Sequence, residues 1–407
     1  MANGPLHKIK VLDLSRVLAG PWAGQLLADY GADVIKVERP HQGDDTRHWG
    51  PPWVRDQQGE ATGESAYFQS ANRNKRSITV NLQHERGQQI VCDLAAASDV
   101  LIENYKVGDL QRFGLDAKSL QEINPALIYC SISAYGQEGS RRQKPGYDAM
   151  IQASAGLMSI TGPADDEGGG PQKVGVAVSD IMAGMYAVTA ILAALHERSE
   201  NGAGQHIDVP LYDSQVAWLA NQNMNYLFGG QSPGREGTSH PNIVPYQAFE
   251  AADGPFMLAV GSDSQFSACV DCLGAEALAH DARFGTNAAR VEHRVALIDL
   301  MAPLIRQKPR AYWLDAFGNR NVPAGPINSI KTVLTEGYAS ERELVRHLPH
   351  TLAGDIPTVA NPVKFSSGSN MYRRAPPLLG EHTDDILVDV LSYSSETINE
   401  LKKCGAI

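Results

Sequence analysis

Three stretches of this chain set a chemically capable residue among small neighbours, at the seam between an apolar run and a helical one. In Val174-Gly175-Val176-Ala177-Val178-Ser179-Asp180-Ile181-Met182-Ala183-Gly184, one carboxylate stands between a strand-like segment and an apolar helix. Two readings fit: Ser179 or Asp180 caps the helix, or Asp180, walled by apolar groups, acts as a nucleophile or base. Periodicity does not separate them. In Ser15-Arg16-Val17-Leu18-Ala19-Gly20-Pro21, small residues precede a helix start, so backbone N–H groups could face an anion or an acyl oxygen. The stretch is not G-x-G-x-x-G, so the dinucleotide fingerprint is absent. In Val37-Glu38-Arg39-Pro40 and Gly43-Asp44-Asp45-Thr46-Arg47, an arginine directly after a strand suits a phosphate, which guanidinium binds bidentately. The other reading is a solvated arginine paired with Asp44 or Asp45. Cys269-Val270-Asp271-Cys272 matches C-x-x-C but has no second ligand pair, so it reads as two cysteines on one helix face.

The elements that must hold these residues are legible as pattern. Val11 to Leu14, Ala32 to Glu38, Ser77 to Asn81, Asp99 to Glu103 and Leu127 to Ser133 read as strands, with helices over Pro21 to Tyr30 and Glu85 to Ala97. Strands alternating with helices predict an α/β fold with a mainly parallel, Rossmann-like sheet, which binds ligands beyond the carboxyl ends of its strands. Asp180 to His196 and Tyr212 to Phe228 read as long helices flanking a strand at Gly204 to Val209. A hairpin turning at Asp253-Gly254-Pro255 opens a smaller α+β region, and a helix over Asp384 to Cys404 ends the chain. Glu167-Gly168-Gly169-Gly170-Pro171 reads as a mobile loop.

Composition narrows the function classes. The chain has 407 residues, 43% hydrophobic and 20% charged, and a net charge of −11, which argues against nucleic acid as a partner. An anionic substrate therefore needs a local basic site, and Arg39, Arg47, Arg73 and Arg76 crowd the first part of the chain. Five cysteines make no disulfide framework. No stretch is read as the roughly 18 uncharged apolar residues of a membrane span, and the first residues run straight into a strand. No membrane association and a cytoplasmic location are the expectations.

Taken together and in order, these segments resemble the class III CoA-transferase family, which includes formyl-CoA transferase. Gly31-Ala32-Asp33-Val34-Ile35-Lys36-Val37-Glu38-Arg39, Asn72-Arg73-Asn74-Lys75-Arg76-Ser77, Glu103-Asn104-Tyr105, Pro145-Gly146-Tyr147-Asp148, Ser179-Asp180, Pro323-Ala324-Gly325-Pro326-Ile327 and Pro376-Pro377-Leu378-Leu379-Gly380-Glu381-His382-Thr383 carry the likeness. Gly43 to Pro52 and Ile243 to Phe249 look like the branch that moves CoA between succinate and glutarate. The resemblance implies CoA and acyl-CoA as substrates rather than a resident cofactor, no metal, Asp180 as catalytic nucleophile, and CoA contacts at Val17, Ala19, Arg39, Asn104, Tyr105 and Arg112. It also implies an interlocked homodimer, with a large domain built from both chain ends. The divisions expected are 1–196 (large domain), 197–245 (linker helices), 246–330 (small α+β domain) and 331–407 (return linker and the rest of the large domain).

For an aspartyl mechanism the N–H groups of Leu18, Ala19 and Gly20 are the expected oxyanion donors, Gly237 to Pro241 is an expected lid, and Arg47 or Arg73 is expected to bind the distal carboxylate of a dicarboxylic acid. Leu18 and Ser133 replace a Gln and a Lys of formyl-CoA transferase, which speaks against a formyl substrate. The rival reaction, α-methylacyl-CoA racemisation, needs a basic His where this chain has Tyr147, and a tyrosine with a pKa near ~10 is a poor base at neutral pH. The remaining rival is a CoA-binding protein without catalysis.

Overall fold

Short apolar runs build the sheet that carries the site: β1 (Lys10–Asp13), β2 (Asp33–Glu38), β3 (Arg76–Thr79), β4 (Val100–Glu103), β5 (Ile128–Ser133) and β6 (His206–Pro210). In this computed structural model, which describes residues 4–407, the strands lie in the order β3-β2-β1-β4-β5-β6, and every neighbouring pair is parallel. Strand order reverses between β1 and β4, so the loops leaving their carboxyl ends diverge and open a crevice.

Side chains alternate across β1 as a pleated strand requires. Val11 points into one core with Val34, Ile102, Ile128 and Ile132, and Leu12 into the other with Ile35, Leu101 and Tyr129. The first core is closed by α1 (Ala19–Asp29) and by α3 (Val178–Asn201), which follows the shorter α2 (Asp148–Ser154). The opposite core takes Ile90 and Leu94 from helix Glu85–Ala96 and Ile386, Ile398 and Leu401 from the end of the chain. Helix α3 is long and apolar enough to cross a membrane by length and composition, contrary to the sequence expectation. Its Ala183, Ala187, Val188, Ile191 and Ala194 are buried in the first core.

These elements belong to a unit of Met1–Leu157, Val174–Gly229 and Ala339–Ile407. Residues 197–229 of the expected linker thus fall within this unit, as β6, α4 (Leu211–Trp218) and α5 (Asn221–Gly229). The long helix expected over Tyr212 to Phe228 is broken, because Ala220 turns left-handed at φ 46°. The C-terminal helix is likewise two, Thr383–Asp389 and Ser395–Lys403, since Ser392 takes φ 57° and the Ser394 side chain caps the second.

The other unit is Met158–Lys173 with Gly230–Tyr338. It holds the hairpin β7 (Tyr246–Ala251) and β8 (Gly254–Ala259), extended by β9 (Ala324–Pro326), over a core of Phe249, Phe256, Phe266, Trp313 and Phe317. Cys269 is buried in that core, and the Cys272 thiol donates to the Ala316 carbonyl. Gly237 to Pro241 lie in this unit, where Arg294 donates to the carbonyls of His240 and Pro241.

Candidate active site

Asp180 occupies the first turn of α3 and is only 9% exposed. The residue before the helix, Ala177, has no capping side chain, so the first N–H groups need an acceptor from elsewhere. Asp148, at the start of α2, supplies it: its Oδ1 accepts from the N–H of Ser179 at 2.8 Å and of Asp180 at 3.4 Å. Its Oδ2 accepts from Gln152 at 2.7 Å, and the Ser179 hydroxyl donates to Gln215 on α4 at 2.8 Å. The cap is therefore Asp148, and the carboxylate of Asp180 has no hydrogen-bond partner among the described residues. Burial, and second the charge of Asp148, raise its pKa to about 7.

A cavity of about 280 Å³ opens at the switch point, and Asp180 lies in its wall. Arg16, Val17, Leu18 and Ala19 line it from the loop after β1, and Asn104, Tyr105, Lys106 and Val107 from the loop after β4. Ile132, Ser133 and Ala134 end β5 on the same cavity, and Arg142 with Lys144 to Tyr147 closes another side. Helix crossing sets the approach of Asp180 to the β1 loop. A Cβ on Gly184, one turn beyond Asp180, would stand 2.7 Å from the carbonyl oxygen of Ala19. Only a glycine lets α3 lie this close to the start of α1.

Of the residues picked from sequence, Asp180, Val17, Leu18, Ala19, Asn104 and Tyr105 come together on this cavity, and Gly20 is the next residue of α1. Arg39 stands outside it, paired at 2.6 Å with Asp45, which is itself in the wall. Arg112 is also outside the lining, exposed, with its guanidinium over the Phe113 ring. The two arginines expected to meet substrate, Arg47 and Arg73, do not line this cavity. Arg47 is 4% exposed and gives its guanidinium to Glu38, Glu64 and the Pro377 carbonyl. Arg73 is 5% exposed, chelates Asp29 and donates to the Val359 carbonyl. Both are structural because a buried guanidinium is tolerated only when its donors are taken.

The cations that do reach the cavity went unnoticed in the sequence: Arg16, Lys106, Arg142 and Lys144. Arg16 lies over the Tyr105 ring at 5.0 Å and 3.5 Å from Asp45. The side chains of Lys106, Arg142 and Lys144 form no ion pair among the described residues. The signal was present, since Arg141-Arg142-Gln143-Lys144 runs directly into Pro145-Gly146-Tyr147-Asp148.

A parallel α/β sheet whose switch point carries a free buried carboxylate and a rim of lysine and arginine defines a site for anionic substrates. The chain belongs to CoA-transferase family III, whose model matches residues 6–383, and it is an enzyme of the transferase class. It is 47% identical over 386 residues to the succinate–glutarate CoA-transferase of Agrobacterium fabrum, covering 95% of this chain and 96% of that protein. It is 43% identical over 403 residues to the human succinyl-CoA:glutarate CoA-transferase, covering 99% of this chain and 90% of that one. Among solved structures, a CAIB/BAIF family protein from Brucella suis matches with a TM-score of 0.83 at 45% identity, over 95% of this chain and 100% of the other. Rv3272 of Mycobacterium tuberculosis matches with a TM-score of 0.82 at 29% identity, over 94% and 99%.

Proposed function

We propose that the protein moves CoA from succinyl-CoA to a short dicarboxylic acid, glutarate foremost, through covalent intermediates on Asp180. One observation carries the mechanism: Asp148 takes the capping role, which leaves the Asp180 carboxylate free in the cavity. The relatives named for succinate and glutarate support the substrates.

The carboxylate of Asp180 attacks the thioester carbonyl, the C–S bond breaks, and CoA leaves as thiolate from a mixed aspartyl–succinyl anhydride. The thiolate then attacks the aspartyl carbonyl, releasing succinate and leaving CoA in thioester linkage to Asp180. Glutarate repeats the two steps in reverse order. Its carboxylate displaces the thiolate to form an aspartyl–glutaryl anhydride, and the thiolate takes the glutaryl group and frees Asp180. One thioester replaces another, so the exchange is nearly neutral in energy and each step is easier than direct transfer. Each addition puts a negative charge on oxygen, and the N–H groups of Leu18, Ala19 and Gly20 are its donors.

With Arg47 and Arg73 buried in ion pairs, the free cations at the cavity are the groups available to the CoA phosphates and the distal carboxylate. The reading includes a homodimer. Helices α3 to α5 expose Met185, Tyr186, Trp218, Met224, Tyr226, Leu227 and Phe228, an apolar set larger than a solitary chain usually leaves in water.

The test is to incubate wild type and Asp180→Ala with succinyl-CoA and a panel of short mono- and dicarboxylic acids, and to read acyl-CoA masses. Glutaryl-CoA formed by wild type alone supports nucleophile and acceptor together. A different acyl-CoA keeps the mechanism and replaces the acceptor. Full activity in Asp180→Ala overturns the covalent route, and solvent deuterium entering the α-carbon without transfer would favour racemisation.

A further inference from the structure

We infer that Asp44, seated on Lys36, and Asn104 together form a clamp that fixes the Arg16–Val17 backbone and so sets the N–H groups of Leu18, Ala19 and Gly20 for the reaction. Asp44, Lys36 and Asn104 are in this sense positioning residues. The inference rests on the transfer mechanism proposed above.

The starting point is a conformation that needs a cause. Val17 is β-branched yet sits at φ 70°, in the left-handed region. Such a residue costs about 1–3 kcal/mol and persists only where its surroundings over-determine it. Here they do. Asn104 holds the peptide groups on both sides of Arg16, its Oδ1 accepting from the Arg16 N–H at 2.8 Å and its Nδ2 donating to the Arg16 carbonyl at 2.7 Å. The Val17 N–H points between the two oxygens of Asp44, 3.2 Å from each.

Asp44 is itself immobilised. It accepts from the N–H and hydroxyl of Thr46 and lies 2.9 Å from the ammonium of Lys36, and both charged side chains are wholly buried. Lys36 also donates to the Ser15 carbonyl at 2.8 Å, so one ammonium joins the residue before the turn to the carboxylate that holds it. On the other side the Ser15 hydroxyl is bonded to Asp13, which lies 2.9 Å from Lys75. Two aspartates and two lysines, buried with balanced charge, form the floor of the loop.

What the loop presents explains why so much is spent on it. Helix α1 has no side-chain cap at Leu18, and the N–H groups of Leu18, Ala19 and Gly20 have no partner among the described residues. Trp22 is the first to donate inside the helix, at 2.7 Å to the Leu18 carbonyl. Leu18 and Ala19 stand in the wall that also holds Asp180, with Gly20 next in the chain, and unpaired donors there are what an oxyanion formed on Asp180 needs, provided that their directions are fixed before the reaction. A turn free to relax to negative φ would rotate the Val17–Leu18 peptide and misdirect the donors.

The experiment compares steady-state kinetics of two variants, Asn104→Ala and the charge-balanced pair Lys36→Met with Asp44→Asn, with those of wild type. Both are expected to lower kcat about 10- to 100-fold while the KM for each substrate changes by less than about threefold, a split that binding contacts alone do not give. Wild-type kcat in folded Asn104→Ala, or KM rises that account for the whole loss, would overturn the inference. If the charge-balanced pair does not fold, Asn104→Ala decides alone. Failure of the wild type to transfer CoA refutes the proposed function itself, whereas the ratio of variant to wild type judges only the clamp.

Discussion

Two carboxylates stand side by side at the start of α3, and their hydrogen bonds separate their roles. Asp148 is held by two backbone N–H groups and Gln152. Asp180 is buried with no hydrogen-bond partner among the described residues, and its pKa is raised to about 7. A nucleophile must be ionised, so kcat/KM should rise with pH and level off above about 7. Asp148→Asn keeps an oxygen for the Ser179 N–H but removes the neighbouring charge, so its acidic limb should move to lower pH. A pH–rate profile of the two proteins checks this, and an unmoved limb would refute the coupling. The stability consequence has the opposite sense. Because the folded state holds the Asp180 proton more tightly than the unfolded chain, the contribution of this one group to stability is greatest below about 4 and falls as pH rises through 7. The buried arginines show where residue-level reading stopped. A cluster of positive charge in sequence does not reveal its partners, and Glu38 and Asp29, which claim Arg47 and Arg73, look like ordinary strand-end and helix-end acids. Arg47→Ala should therefore destabilise by about 3–5 kcal/mol in urea titration, with any effect on KM equal for mono- and dicarboxylic acids.

At the scale of elements, the sheet was legible because its strands are apolar runs bounded by turns, and its parallel pairing followed from strands alternating with helices, though the strand order did not. The seam at Asp180 was legible too, as a carboxylate between an apolar run and a helix. The break at Ala220 was not, since neither glycine nor proline marks it. Nor was the Asp148 cap, which acts across 31 residues. The crossing of α3 on α1 is the element-scale feature on which the site depends most. Gly184→Ala would place a methyl group 2.7 Å from a backbone oxygen that cannot swing aside, so the helices must separate. A shift of a few tenths of an ångström moves Asp180 away from the Leu18–Gly20 donors. The expected result is a loss of about 1–3 kcal/mol of stability with a fall in kcat on the order of tenfold to a hundredfold. Thermal melting and turnover measured on the same sample check both. Unchanged turnover would mean that the approach of the two helices does not set the chemistry.

At the scale of the molecule, the exposed apolar side chains decide what the chain does in solution. Leu227 is 67% exposed and Phe228 88%, on a helix whose buried side is slight, and Tyr226 and Met224 are more than two-fifths exposed beside them. Leaving such a set in water forgoes about 25 cal/mol for each Å² that burial would remove. A charge of −11 supplies no reason for these residues to be large and apolar. The proposed homodimer would cover them with a second copy of the chain, because a self-complementary apolar patch is what a twofold interface requires. Light scattering should then give twice the 43.9 kDa of one chain. Leu227→Asp with Phe228→Asp should shift that mass toward the monomer, since carboxylates replace the two most exposed side chains of the patch and would have to be desolvated to pair. Both substitutions lie on a helix with no buried residues, so the fold of the sheet and its circular dichroism should survive them. A wild-type mass of one chain, or a double variant that remains a dimer, would mean that these side chains do not form the interface.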